Sequence, residues 1–296
     1  MSKFFRFILF SFTLLCLNTY GLRAQQTVNP YQERQLYEKA YDLYTKAKYA
    51  SAIPIFEQAA KSTDIQLKAD AEYYAALCAL QLNHPSAEQK FVRFLAKYPQ
   101  HIQKNNVHIE LVKYQIAHNN HKEALKNLEK IDKSSLNEAQ LNEYYFNLGY
   151  ANFLDNYYET AKDGFEHLIN KPNKYKIPAT YYYAYIAYRE GRYNEAVTYF
   201  KQVEKDDAYG KYVKYYLAQV YSQQHRYDEV LEITLPLLEK EQSEQRTELL
   251  RLTADAYFQK GQYQEALSYH EKYLAALPQN ISPVDHYEIG FENYYL

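Results

Sequence analysis

Glycine and proline are scarce in this chain of 296 residues, 7 and 9 respectively; tryptophan is absent and methionine occurs once. So little turn chemistry argues against a β or α/β protein of this length, whose tight turns and strand ends draw repeatedly on glycine. Helices joined by short loops fit better. Cysteine is limited to Cys16 and Cys78, and Cys16 lies in an N-terminal segment with the marks of removal, so an intrachain disulfide is excluded from the mature chain. No apolar run reaches the roughly 20 residues that span a bilayer as a helix. Positive charge is not in excess, with 34 Lys and Arg against 36 Asp and Glu. Nucleic acid is therefore not expected as a partner, because phosphate neutralisation needs a basic face. Tyrosine, in contrast, occurs 36 times.

Residues 1–24 carry Lys3 and Arg6, an apolar run from Phe7 to Leu17, and a close on Leu22-Arg23-Ala24 before Gln25. That is the layout of a secretory signal peptide. The bulky Leu15 before Cys16 disfavours acylation there, so cleavage near Ala24 is expected and a lipoprotein form is not. Loss of Lys3, Arg6 and Arg23 takes the formal charge from −2 to −5, since residues 1–24 hold no Asp or Glu. The Ala-Gln junction resembles export signals common in the Bacteroidetes, which implies a periplasmic or outer-membrane-associated destination. Residues 25–32 read as a short linker.

Self-comparison then exposes a repeat. The residues Ala52, Ala87, Ala124, Ala161, Ala196, Val230 and Ala266 are spaced by 35, 37, 37, 35, 34 and 36 positions. Three residues before each stands a ring: Tyr49, His84, His121, Tyr158, Tyr193, Tyr227 and Tyr263. Four residues after come Phe56, Phe91, Leu128, Phe165, Phe200, Thr234 and His270, and twelve before come Ala40, Ala75, Val112, Gly149, Ala184, Ala218 and Ala254. A small residue where two antiparallel helices cross lets their axes approach to about 8–10 Å, with the large residue one turn on filling the groove. Gly191 and Gly261 mark helix ends, and Pro99 and Pro278 close second helices. The pattern predicts an all-α fold, a right-handed α-solenoid of about seven helix pairs plus a terminal half-repeat. The solenoid covers 33–296, with units starting near 33, 68, 105, 142, 177, 211 and 247 and a partial one from 283. The connector Lys171–Pro178 is expected to bend it without dividing it. The last helix, with Phe291, Tyr294, Tyr295 and Leu296, reads either as the start of a repeat continued in a longer protein or as a cap.

Tyr145, Leu148, Gly149, Tyr158, Ala161 and Phe165, and Tyr257, Gly261, Tyr263, Ala266 and Pro278, resemble the tetratricopeptide repeat signature, over almost the whole mature chain. Val112, Gln115 and Leu128 in the third unit, and Val230 and Thr234 in the sixth, depart from it. Residues Ala87–Pro99 resemble repeats of envelope proteins that serve the Tol-Pal system and outer-membrane protein assembly. The resemblance implies a non-catalytic scaffold for a protein or peptide of the cell envelope, peripheral to outer-membrane complexes. It also implies that first helices line a concave groove, here Phe146, Asn147, Tyr150 and Phe153, then Tyr181, Tyr182, Tyr185 and Tyr188, then Tyr212, Tyr215, Tyr216 and Gln219. Ten of these twelve are Tyr or Phe, rings with a polar tip that suit a surface alternately wet and buried. The plainer reading makes them packing between repeats, and tyrosine strips also stack on sugars, so glycan capture is the alternative. A terminal-carboxylate clamp is not expected, because Lys113, Asn147 and Arg189 or Arg251 are scattered.

Catalytic motifs are missing: no Gly-rich phosphate loop, no Gly-x-Ser-x-Gly elbow, no activated cysteine. Cys78 fits a small apolar filler. His118 and His121 are the one metal-like pair, but His121 holds a packing slot, and two histidines fall short of the three or four ligands that zinc needs. Neither a metal nor a cofactor is expected.

Overall fold

The computed structural model describes residues 30–240, 245–276 and 282–296, so the leader and Pro278 lie outside the described residues. Fifteen α-helices and one 3-10 turn account for the regular structure there, with no strand among the described residues. They are α1 Pro30–Thr45, α2 Tyr49–Ala59, α3 Ile65–Gln81, α4 Ala87–Lys97, α5 Lys104–Ala117, α6 His121–Glu129, α7 Glu138–Leu154 and α8 Tyr158–Ile169. They continue as α9 Lys176–Arg189, α10 Tyr193–Val203, α11 Gly210–Gln223, α12 Tyr227–Lys240, α13 Gln245–Gln259, α14 Tyr263–Ala276 and α15 Pro283–Tyr295. That makes seven pairs and a last single helix. The chain divides into two compact units, residues 1–107 and 108–296, at a boundary inside α5.

The turn within every pair is built alike. Ala47, Asn83, Asn119, Asn156, Gly191, His225 and Gly261 all have φ between +49° and +74°, which is the left-handed residue that ends a helix. The matching hydrogen bonds recur: Lys48 N–H donates to the Leu43 carbonyl at 2.8 Å, Arg192 to Ala187 at 2.9 Å and Gln262 to Tyr257 at 2.9 Å. Only two of the seven positions are glycine, which is why sequence inspection caught only those. Ala47 is the least suited, since its Cβ crowds the following carbonyl and it has no polar side chain to compensate. Ala47→Gly is expected to stabilise the first unit by about 1 kcal/mol, read as a rise in the urea midpoint at unchanged m.

Packing follows the register. All seven crossing residues from Ala52 to Ala266 are fully buried, as are Phe56, Phe91, Phe165, Phe200, Thr234 and His270 in the slot four residues on. In the first unit Ala40, Ala52, Phe56, Ala71, Ala75 and Cys78 form one core; burial pushes the Cys78 thiol up to about 11, which suits a filler. In the second unit α7 and α8 approach closely. A Cβ on Gly164 would lie 2.7 Å from the Gly149 nitrogen and 2.8 Å from its Cα, so backbone meets backbone there. The two irregular repeats hold buried polar pairs instead of apolar ones. Asn127 Nδ2 donates to Gln115 Oε1 at 3.0 Å, and the Thr234 and Thr253 hydroxyls meet at 2.8 Å.

Candidate functional site

The first helices α7, α9 and α11 carry the twelve residues expected to line a groove. Their rings touch in series: Phe146 stacks near Tyr150 (5.8 Å), Tyr150 meets Tyr182 (5.1 Å), Tyr182 meets Phe153 (4.8 Å), and Phe153 meets Tyr185 (5.4 Å). Tyr185 then meets Tyr216 (5.2 Å), which also contacts Tyr181, Tyr188 and Tyr215. The Tyr188 hydroxyl donates to Gln219 Oε1. Tyr212 is exposed, with the Lys211 ammonium 4.7 Å above its ring.

Packing claims part of this strip. Tyr182 stacks on Phe165 of the preceding pair at 5.7 Å, and Tyr216 on Phe200 at 5.8 Å. Burial pushes the Tyr216 hydroxyl up to about 12 and raises Tyr181 and Tyr182 as well, with neighbouring tyrosine hydroxyls adding to it. Rings held this way cement adjacent pairs and are only partly open to a ligand.

The exception is informative. Tyr182 and Tyr216 stand two residues before the small residues Ala184 and Ala218; the same slot before Gly149 holds Asn147. There a recess of about 520 Å³ opens, walled by Phe146, Tyr150, Tyr175, Ile116 and Leu154 and edged by Lys113 and Glu143. Asn147 is only 6 % exposed, and its Nδ2 has no hydrogen-bond partner. A buried amide left unsatisfied costs about 1–3 kcal/mol, so an unsatisfied donor lies in the wall of the recess. Lys113 sits 2.9 Å from Glu110 and 3.4 Å from Glu143. Burial works against its charge, but the two carboxylates outweigh it and keep its pKa above the ordinary lysine value. Burial also raises Tyr175, helped by Glu143.

Other candidates from the sequence fare differently. Lys113 and Asn147 share this recess, whereas Arg251 is held by Glu248 at 2.6 Å and Asp255 at 2.7 Å on α13. His118 stacks on Tyr114 at 4.0 Å, and His121 Nδ1 lies 2.7 Å from Asp155 Oδ1. The acid that meets His121 comes from the next pair, 34 residues on, which local inspection does not reach. Sequence reading also missed a convergence in the last repeat: Asp255, His270 and Glu288 each turn a donor atom to a common point, all within 4.8 Å of one another. The available signal was His270 itself, a polar residue in the slot that Phe56, Phe91, Phe165 and Phe200 fill elsewhere.

Two segments, residues 37–102 and residues 187–256, match family models described as tetratricopeptide repeat. The chain therefore carries tetratricopeptide repeats. Among solved structures it is similar to a tetratricopeptide repeat protein from Parabacteroides merdae, at 14% identity and TM-score 0.54 over 88% of this chain and 98% of that one. It is also similar to the C-terminal part of a TPR repeat-containing protein from Cytophaga hutchinsonii, at 15% identity and TM-score 0.62 over 86% and 99%. Pseudomonas aeruginosa pilF matches at 16% identity and TM-score 0.57 over 74% and 96%. At these identities the likeness is one of fold. No curated protein matches the chain. Folds of this kind are typical of protein interaction scaffolds, and among the described residues no helix is long and apolar enough to cross a membrane.

Proposed function

We propose that this chain is a non-catalytic scaffold that holds an extended segment of a partner protein along α7, α9 and α11, anchored in the recess at Asn147. The observation that carries the reading is the unpartnered Asn147 amide in an aromatic-walled recess. A peptide carbonyl is the acceptor it fits, and the surrounding rings give large contact area at low entropy cost. The proposed location is the periplasm or outer-membrane face, supported by the leader layout of residues 1–24. Partners in envelope assemblies are supported by the resemblance of residues 87–99.

Selection of a random peptide library on the mature chain tests the binding mode. Enriched peptides should share a short motif and lose binding when Tyr150 is replaced by alanine. Enrichment indifferent to Tyr150 would move the site elsewhere, and a response only to oligosaccharides would promote the glycan reading. For location, the chain recovered from the envelope fraction should begin at Gln25 by mass spectrometry; a cytoplasmic chain that retains Met1 would refute it.

A further inference from the structure

The last helix, α15, docks in an unusual way. Its fully buried residues are Asp285, Glu288 and Glu292, so an acidic face turns inward beside the Phe291 ring, which packs on Phe258 at 5.6 Å and Tyr263 at 5.3 Å, while Tyr287 and Tyr294 stay exposed. Asp285 is accounted for: its carboxylate closes a capping box with Ser282 and accepts from the Tyr273 hydroxyl at 3.1 Å. Glu288 and Glu292 instead face His270 of α14, which is fully buried. Glu292 takes the imidazole Nδ1 at 2.8 Å. The other ring nitrogen, Nε2, lies 3.8 Å from Asp255 Oδ1 and 3.8 Å from Glu288 Oε2. Those separations are too long for hydrogen bonds, and all three atoms lack a partner.

Burying carboxylates costs several kcal/mol each, on the order of what Coulomb attraction returns only with good geometry. Here three carboxylates meet one imidazole, and the nearby Arg251 is spent on Glu248 and on the other oxygen of Asp255. A positive charge between the orphaned atoms, whether a proton or a metal ion, relieves the repulsion between the Asp255 and Glu288 carboxylates.

We propose that Asp255, His270 and Glu288 bind a divalent transition-metal cation, Zn2+ fitting best, which clamps α15 onto α13 and α14. Donors at the 2.0–2.2 Å of zinc ligation stand about 3.3 Å apart in a tetrahedral shell, so the two 3.8 Å edges to His270 Nε2, and the Asp255–Glu288 edge of no more than 4.8 Å, close with side-chain shifts. The imidazole disfavours Mg2+ and Ca2+, which take oxygen ligands. Glu292 on Nδ1 is the arrangement that fixes the tautomer of a metal-bound histidine and orients its ring. Asp255 is the least buried of the three, and a water would complete the fourth position. The role is structural, since the site joins three helices that the chain brings from 33 residues apart.

The test uses the full mature chain, untagged and stripped with a chelator. Equilibrium dialysis against ZnCl2 with metal analysis should give one Zn2+ per chain, together with a rise in Tm. His270→Phe restores the residue type found in most other units at this slot, so it should fold with equal helicity, bind no zinc, and lose the zinc-dependent rise. Glu288→Gln should weaken binding at least tenfold, while a His118→Ala, His121→Ala double variant should bind as the parent does. Failure of the parent chain to bind zinc stoichiometrically, or equal binding by a helical His270→Phe variant, overturns the site.

Discussion

Phe165→Ala is expected to remove about 3–5 kcal/mol of stability, the largest effect of any single truncation considered. The ring is fully buried. It packs under Tyr182 at 5.7 Å, beside Phe146 at 6.2 Å, and against the position of Gly149, so no neighbour can collapse into the void without breaking its own stack. Because each repeat touches only its neighbours, the loss should be concentrated in α7 to α9. Hydrogen exchange should accelerate there first, with α13 and α14 little affected. Uniform exchange across the second unit would show that the repeats unfold as one body. Gly164→Ala should cost less, about 1–3 kcal/mol, despite the gain in helix propensity, because the added Cβ meets the backbone of Gly149 and not a mobile side chain.

The second large effect is on binding. Asn147→Tyr places in the fourth pair the ring that Tyr182 and Tyr216 supply in the next two. It should fill the recess and satisfy the packing that the amide leaves open, so stability is expected to stay level or rise. Affinity for a selected peptide should fall at least tenfold, about 1.4 kcal/mol or more, by fluorescence polarisation. A folded Asn147→Tyr variant with undiminished affinity would remove the recess from the site. The contrast with Phe165→Ala is useful, since one variant loses structure and the other only the ligand.

Much of this architecture was legible in advance. The spacing of Ala52 through Ala266 named the crossing residues, and the slot four residues on named the fully buried rings, whereas the rings three residues before the crossing are half-buried or exposed. The departures in the third and sixth units were visible as well, though not their resolution. Gln115 meets Asn127, and Thr234 meets Thr253, across 12 and 19 residues, and single positions do not announce such partners. Turns were legible only where glycine stood; at Ala47, Asn83, Asn119, Asn156 and His225 the left-handed residue is imposed by the hydrogen-bonded end of the helix.

The aromatic strip shows where sequence reasoning stops. Its twelve residues were identified by register, and eleven of them do gather on α7, α9 and α11 in contact or close by, with Tyr212 set apart in solvent. Which of them are mortar and which are surface was undecided until Tyr182 and Tyr216 were seen stacked on Phe165 and Phe200. The vacancy beside Asn147 is a difference between equivalent slots in neighbouring repeats, and it has meaning only once the repeats are stacked.

By itself the sequence determined the all-helical class, the helix pairs, their register and their buried slots, because a repeat of 34–37 residues writes the same local packing rule seven times. The tertiary structure alone decided where that rule is broken to some effect. The Asn147 recess and the meeting of Asp255, His270 and Glu288 depend on side chains from separate helices arriving at one point, and distance in space between such residues is not encoded in any local pattern.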